Sequence, residues 1–241
     1  MSGGAHTSRT IMLKELRQLL HVCPDDSRLQ DYKVAVVKEN VLGKKSIPAR
    51  ERTFRYLREL YALDLGQDGF AVLRQLWELD AEAQPLIAVR SALGRDSSLR
   101  ATAGTILVAR EGDRVTASDL GAAVQTRHPN DYNAATVNKI GRNTLSSWTQ
   151  SGHLVAPNRI TKVRARAKCR PSAVVFALFL SHRSGKAGQS LFTTLYCEVL
   201  DVPTATARDQ AFEAAQRGWI DFREVGDVIE IGFKALLRGA A

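Results

Sequence analysis

The chain has 241 residues, 44% of them hydrophobic, and a formal net charge of +9. That is material for one large domain or two to three small ones folding without covalent staples. Three scattered cysteines (Cys23, Cys169, Cys197) with no C-x-x-C spacing offer neither a disulfide framework nor a zinc site. The longest apolar run, residues 173–180, is far short of the ~18 to 20 residues that cross a bilayer. The N-terminus also lacks the apolar stretch and cleavage site of a secretion signal. A cytoplasmic protein with no membrane partner is expected.

Residues 9–94 read as helices. In "RTIMLKELRQLLHV" the apolar Ile11, Leu13, Leu16, Leu19 and Leu20 keep close to a 3.6-residue period, and Pro24-Asp25-Asp26 stops it. "SRLQDYKVAVVKENVLG" predicts a second helix closed by residues 40–43. Ser46 is placed to cap a third, "IPARERTFRYLRELYAL", with Pro48 tolerated in its first turn. Arg50, Arg55 and Arg58 lie outside its apolar stripe, and Glu51 and Glu59 interrupt them, which predicts a solvated face. "DGFAVLRQLWELD" and "AQPLIAVRSALG" continue the series.

Near Ser97 the texture changes. "SSLRATAGTILVAREGDRV" predicts a helix, a turn at 111–113 and a short extended pair around Val115. Thr116 followed by Asp119 forms a capping box opening a helix over Ala117–Arg127. Pro129-Asn130-Asp131 is turn chemistry, and Asn133 caps "AATVNKIGRNTLSSWTQ". Val137, Ile140, Thr144, Leu145 and Trp148 make the buried face of that helix; Asn138, Lys139, Arg142, Asn143, Ser146, Ser147 and Gln150 make a polar, acid-free one. "HLVAPNRITKVRARA" then reads as strand, turn and strand. Its second strand, running into "KCRP", carries Lys162, Arg164, Arg166, Lys168 and Arg170 on alternate residues, so Val163 and Ala165 are expected against the core. Beyond Pro171 come helices in "SAVVFALFLSHR", "GQSLFTTLYCEVLD" and "TATARDQAFEAAQRG", then a hairpin in "WIDFREVGDVIEIGF" turning at 225–227. The fold class expected is mainly α, in three parts: a helical N-terminal domain (1–96), a basic winged helix-turn-helix (97–170), and a helical C-terminal domain with a terminal β-hairpin (171–241).

The location of the charge directs the functional reading. Residues 132–197 contain no Asp or Glu but ten cations: Lys139, Arg142, Arg159, Lys162, Arg164, Arg166, Lys168, Arg170, Arg183 and Lys186. Elsewhere 24 basic residues meet 25 acidic ones, so the whole excess sits in this window. Such a footprint suits a polyanion. The expected DNA contacts are Asn138, Lys139, Arg142, Asn143 and Ser146 in the major groove, where Arg pairs with guanine and Asn with adenine. Arg159, Lys162, Arg164, Arg166, Lys168 and Arg170 would lie on phosphates. The alternative for the alternating row is an edge strand guarded by charge. Cys169 among cations suggests a lowered thiol pKa.

Catalytic chemistry does not stand out. "SHRSGKAGQ" lacks the upstream glycine and following Ser or Thr of a phosphate loop. The five histidines are far apart with no i, i+4 pairing and no acid partner expected, and His153 reads as a cap or surface group. No enzyme, cofactor or metal is expected.

"KENVLGKKSIPARERTFRYLRELYALD", "RNTLSSWTQSGHLVAPNRITKVRARA" and "AAQRGWIDFREVGDVIEIGF" together resemble the BrxA family of BREX bacteriophage-defence systems, over about residues 40–233. The resemblance implies a helical protein of winged-helix character that binds DNA without catalysis beside a methyltransferase and other BREX proteins. It assigns no residue. Double-stranded DNA is therefore the expected partner. A winged-helix transcriptional regulator, a scaffold docking acidic proteins in the defence complex, and an RNA-binding protein are the alternatives.

Overall fold

The structure is a computed structural model and describes residues 4–158, 161–226 and 228–238. It is mainly helical with two small antiparallel hairpins. The N-terminal helices are α1 (Leu13–Val22), α2 (Leu29–Lys33, continued by a π-helical turn Val34–Lys38), α3 (Ile47–Tyr61), α4 (Asp68–Trp77) and α5 (Gln84–Arg95). Then come α6 (Ser97–Val108), α7 (Ala117–Arg127), α8 (Ala134–Gln150), β1 (Leu154–Val155) and β2 (Val163–Arg164). The chain closes with α9 (Pro171–Arg183), α10 (Leu195–Glu198), α11 (Thr204–Gln216), β3 (Asp221–Val225), β4 (Val228–Gly232) and α12 (Lys234–Arg238).

The starts follow local chemistry. The Ser46 hydroxyl accepts from the Ala49 N–H at 3.4 Å, Thr116 and Asp119 cap each other reciprocally, and Asn133 Oδ1 accepts from the Thr136 N–H at 2.9 Å. The middle of the molecule is α9, whose Ala173 to Phe179 are all at most 1% exposed. A helix apolar all round must be surrounded, and α4, α5, α10 and α11 pack on it. One hydrophobic cluster runs from Ala5 to Leu236, so the three sequence segments share a core.

Two stretches depart from their periodicity. Residues 9–12 do not join α1, because the chain there is held by groups distant in sequence. Ser147 Oγ accepts from the Ile11 N–H at 3.0 Å, the Tyr61 hydroxyl donates to the Ile11 carbonyl, and Met12 takes a left-handed conformation (φ 52°) that costs a non-glycine residue about 1 kcal/mol. The stretch 188–201 is not one helix but a 3₁₀ segment (Gly188–Thr193) followed by the short α10. Thr194 between them is extended, and its hydroxyl lies 2.6 Å from Ser181 Oγ on α9.

α7 and α8 approach each other closely. A Cβ at Gly141 would fall 2.1 Å from the Ala117 carbonyl oxygen, and Gly121 faces Val137 in the same seam. Only glycine lets the two backbones touch there. Gly141→Ala should therefore cost about 3 kcal/mol in a urea titration. Gly104→Ala, on α6 with nothing within 4 Å of its added carbon, should add about 0.5 to 1 kcal/mol.

Candidate nucleic-acid interface

β1 and β2 pair antiparallel, Leu154 opposite Arg164 and Val155 opposite Val163. On the other side of β2, Arg114 bridges to Val163, the Val115 N–H donates to the Lys162 carbonyl at 3.0 Å, and the Arg164 N–H donates to the Asp113 carbonyl at 2.8 Å. Three extended segments thus lie side by side with β2 in the centre. α7 and α8 intervene in sequence between the first and the third.

The polar face of α8 divides into two halves. Along the first, Asn138, Lys139 and Arg142 are exposed, and none of them is in an ion pair among the described residues. Along the second, the N-terminal segment lies across the helix as a strap. Asn143 Nδ2 donates to the His6 carbonyl at 2.8 Å, Gln150 Oε1 accepts from the Leu13 N–H at 3.1 Å, and Ser147 is fully buried. Ser146 is half-buried and accepts from Gln150 Nε2 at 3.3 Å. Asn143 and Ser147 are thus engaged by the chain itself, which leaves the open face shorter than its periodicity suggests.

The cation row is rearranged more strongly. β2 ends at Arg164, and that side chain points inward with 5% of its surface exposed, reversing the expectation that Val163 and Ala165 carry the core side. Its guanidinium grips Asp201 with two bonds of 2.8 and 2.6 Å and donates from Nε to the Ile106 carbonyl at 2.9 Å. Arg166 reaches the same carboxylate at 3.3 Å, Lys168 pairs with Glu82, Arg170 with Asp80 at 2.7 Å, and Arg183 with Asp68 at 2.8 Å. Four acids from elsewhere in the chain therefore pair with five of the ten cations of the acid-free window, Arg164 and Arg166 sharing Asp201. Arg164 is no surface phosphate contact. Arg159 lies outside the described residues. Lys162 stays half-exposed and without an ion pair among the described residues, as do the exposed Arg110 and Arg114 beside it; Glu111 and Asp113 at the adjoining turn are the nearby acids in sequence.

Two buried histidines also differ from their sequence reading. His153 is not a surface group: its Nε2 donates to the Val199 carbonyl at 3.0 Å, its Nδ1 lies 2.8 Å from Ser151 Oγ, and Trp148 packs edge-on against its ring. Burial drives its pKa down to about 4, against the opposing pull of the Val199 carbonyl and Asp201. Burial alone would raise the Asp201 pKa, but the bonds from Arg164 and the Ala167 N–H outweigh it and hold the carboxyl below its usual value. Cys169 is raised rather than lowered, because burial outweighs the nearby Arg90.

Two histidines do meet acids: His128 Nδ1 lies 3.1 Å from Asp131 Oδ2, and His6 meets an acid 90 residues away. Its Nε2 is 2.9 Å from Ser147 Oγ, and its Nδ1 is 3.0 Å from Asp96 Oδ2, close but off the angle of a hydrogen bond. Burial raises the Asp96 pKa, yet His6 and the N–H groups of Leu99 and His6 bring it down to about 2. The order acid, imidazole, hydroxyl is that of a nucleophilic triad. Here Ser147 Oγ also accepts from Ile11 and donates to the Asn143 carbonyl at 2.8 Å, and it has no surface exposed. A substrate carbonyl has no path to it, so the arrangement acts as a clamp on the strap. Among the described residues no group of three or more His, Cys, Asp or Glu is placed to hold a metal, and no helix is long and apolar enough to cross a membrane.

The chain matches no family model and no curated protein.

Asp201→Ala strands the buried Arg164 charge and should cost about 3 to 5 kcal/mol by chemical denaturation. The pH dependence follows from His153. Its folded pKa lies below the ordinary 6.5, so the unfolded chain binds the extra proton between about 4 and 6.5. Stability is then full above pH 6.5 and falls as the pH drops towards 4. The lowered Asp201 pKa adds a further loss in still more acid solution. Urea midpoints across this range should show the decline, and His153→Gln should flatten the portion between pH 6.5 and 4.

Proposed function

We propose that the protein binds double-stranded DNA without catalysing a reaction on it, using residues 97–170 as a winged helix-turn-helix. The observation that carries this reading is the open front of α8. Asn138, Lys139 and Arg142 project from it free of acidic partners among the described residues, and Arg114 lies opposite Val163, which Lys162 directly precedes. In this reading α7 supports, α8 enters the major groove with its first turns, and the β1–β2 hairpin with the strand at Arg114 forms the wing. Arg142 and Asn138 are the side chains suited to base edges, while Lys139, Arg114 and Lys162 suit phosphates.

Lys168 and Arg170 are assigned no DNA contact in this proposal, since acids of the fold pair with them, and neither is Arg166, which is tied to the Asp201 carboxylate and carbonyl. The resemblance to the BrxA family would make the DNA-binding step part of cytoplasmic defence against bacteriophage, beside a BREX methyltransferase. A second reading, a protein-docking subunit of such a complex, draws support from the C-terminal hairpin, whose tip holds Val225 and Val228 at 80% and 70% exposure. Under that reading a partner is retained after nuclease treatment.

The test is binding of a fluorescent duplex over a salt series. Three phosphate contacts, from Arg114, Lys139 and Lys162, predict that log K falls against log salt with a slope of about −3 or steeper. Lys139→Ala/Lys162→Ala should bring that slope up by about 2 with the fold unchanged. A wild-type slope near zero rejects the proposal.

A further inference from the structure

The strap adds a cation to the surface that the sequence window does not contain. Between its two anchors on α8, the His6 carbonyl bound by Asn143 and the Ile11 N–H bound to Ser147, lies Arg9. Asn143 follows Arg142 directly, so the strap takes up the polar face where the open half of α8 ends. Arg9 in turn sits over the Tyr56 ring of α3, its Cζ 5.5 Å from the centroid, and Arg55 sits over the same ring at 4.7 Å. Two guanidiniums are thus gathered on one aromatic side chain.

Like charges held together need a reason or a counter-charge. Among the described residues Arg9 has no ion pair, and Arg55 has only an exposed contact of 3.8 Å with Glu59. Arg52 and Arg58 share the exposed side of α3 without ion pairs among the described residues, with Glu51 as the other acid there. Each cation over the ring gains about 0.5 to 1 kcal/mol at an exposed site. That holds the guanidiniums in place while Arg9 has no acidic partner among the described residues and Arg55 only the exposed Glu59. A phosphate diester, with its charge spread over two unesterified oxygens, matches such a pair.

We propose that Arg9 and Arg55, fixed on Tyr56, form a second phosphate-binding patch for the same duplex that α8 engages, so that the DNA path runs from the hairpin over α8 and the strap onto α3. The inference rests on the DNA-binding reading and extends the interface beyond residues 97–170. Tyr56 is a positioning residue, its ring setting the spacing of the two cations.

The experiment is the salt series on a 20-base-pair fluorescent duplex, comparing wild type, Arg9→Ala/Arg55→Ala, Arg9→Lys/Arg55→Lys and Lys139→Ala/Lys162→Ala, with circular dichroism and thermal melting of each. The Arg9→Ala/Arg55→Ala protein should lose about 2 units of slope and bind more weakly at low salt, whatever the duplex sequence. The lysine pair should keep the slope, which separates lost charge from any lost fold. If the slope is unchanged in the Arg9→Ala/Arg55→Ala protein but falls in Lys139→Ala/Lys162→Ala, the patch is overturned and the DNA-binding reading stands. If wild type binds no duplex, both fall together.

Discussion

The bidentate contact between Arg164 and Asp201 fixes most of what surrounds it. Two charges with 5% and 3% of their side chains exposed have given up nearly all their water. They remain ionised because every face of the pair is bonded: Ile106 and His153 carbonyls take Arg164 protons, while Arg166 and the Ala167 N–H complete Asp201. A pair like this contributes less net stability than its bond lengths suggest, since desolvation offsets most of the attraction. Its effect is on specificity of arrangement. Only one placement of the 201 turn against β2 leaves neither charge alone in the core, and Asp201 takes a left-handed backbone (φ 62°) to reach it. Residues 97–170 are thereby locked to the C-terminal helices.

That lock changes what a charge count means. An acid-free window of sequence suggests a strongly basic surface, yet Asp201, Glu82, Asp80 and Asp68 fold back onto it. Much of the local excess is thus the counter-charge of acids placed elsewhere, and the charge left for a partner is smaller and differently located. It gathers on the front of α8, at Arg114 and Lys162, and at the strap. Surface pairs such as Lys168 with Glu82 are individually weak and screened by salt, so they do not rigidify the seam. The buried pair does.

Periodicity and capping made the helices legible. Ser46, Thr116 and Asn133 each begin a helix because a side-chain oxygen replaces a missing backbone partner, a contact three residues long that sequence alone carries. The core stripe of α8 is equally local, with Ile140, Thr144 and Trp148 buried. What could not be read is whatever depends on partners far along the chain. Arg164 turns inward because of Asp201, 37 residues later. His6 meets Asp96, and Ser147 and Gln150 are taken by the strap. Alternation in a strand identifies two faces but not which one is wet, and a two-residue strand is too short for its pattern to decide. The polar composition of α8 likewise did not distinguish side chains reserved for an external partner from those that fasten residues 4–13.

The strap also explains why a long polar helix face can be stable without being open. Three of its polar groups, Asn143, Ser147 and Gln150, close internal bonds with the strap, Ser147 meeting the His6 imidazole among them. The same bonds hold Arg9 over Tyr56, so the element that closes half of α8 brings a cation to its border. Closing and presenting are therefore one structural act. The strap gives up the hydrogen-bonding capacity of the last two turns of α8 and supplies positive charge next to the first ones. If the surface binds a duplex as proposed, it distinguishes poorly between bases along its covered half, where only charge remains. Under the DNA-binding proposal, any reading of sequence falls to Asn138 and Arg142, whose side chains make no hydrogen bond to the fold among the described residues.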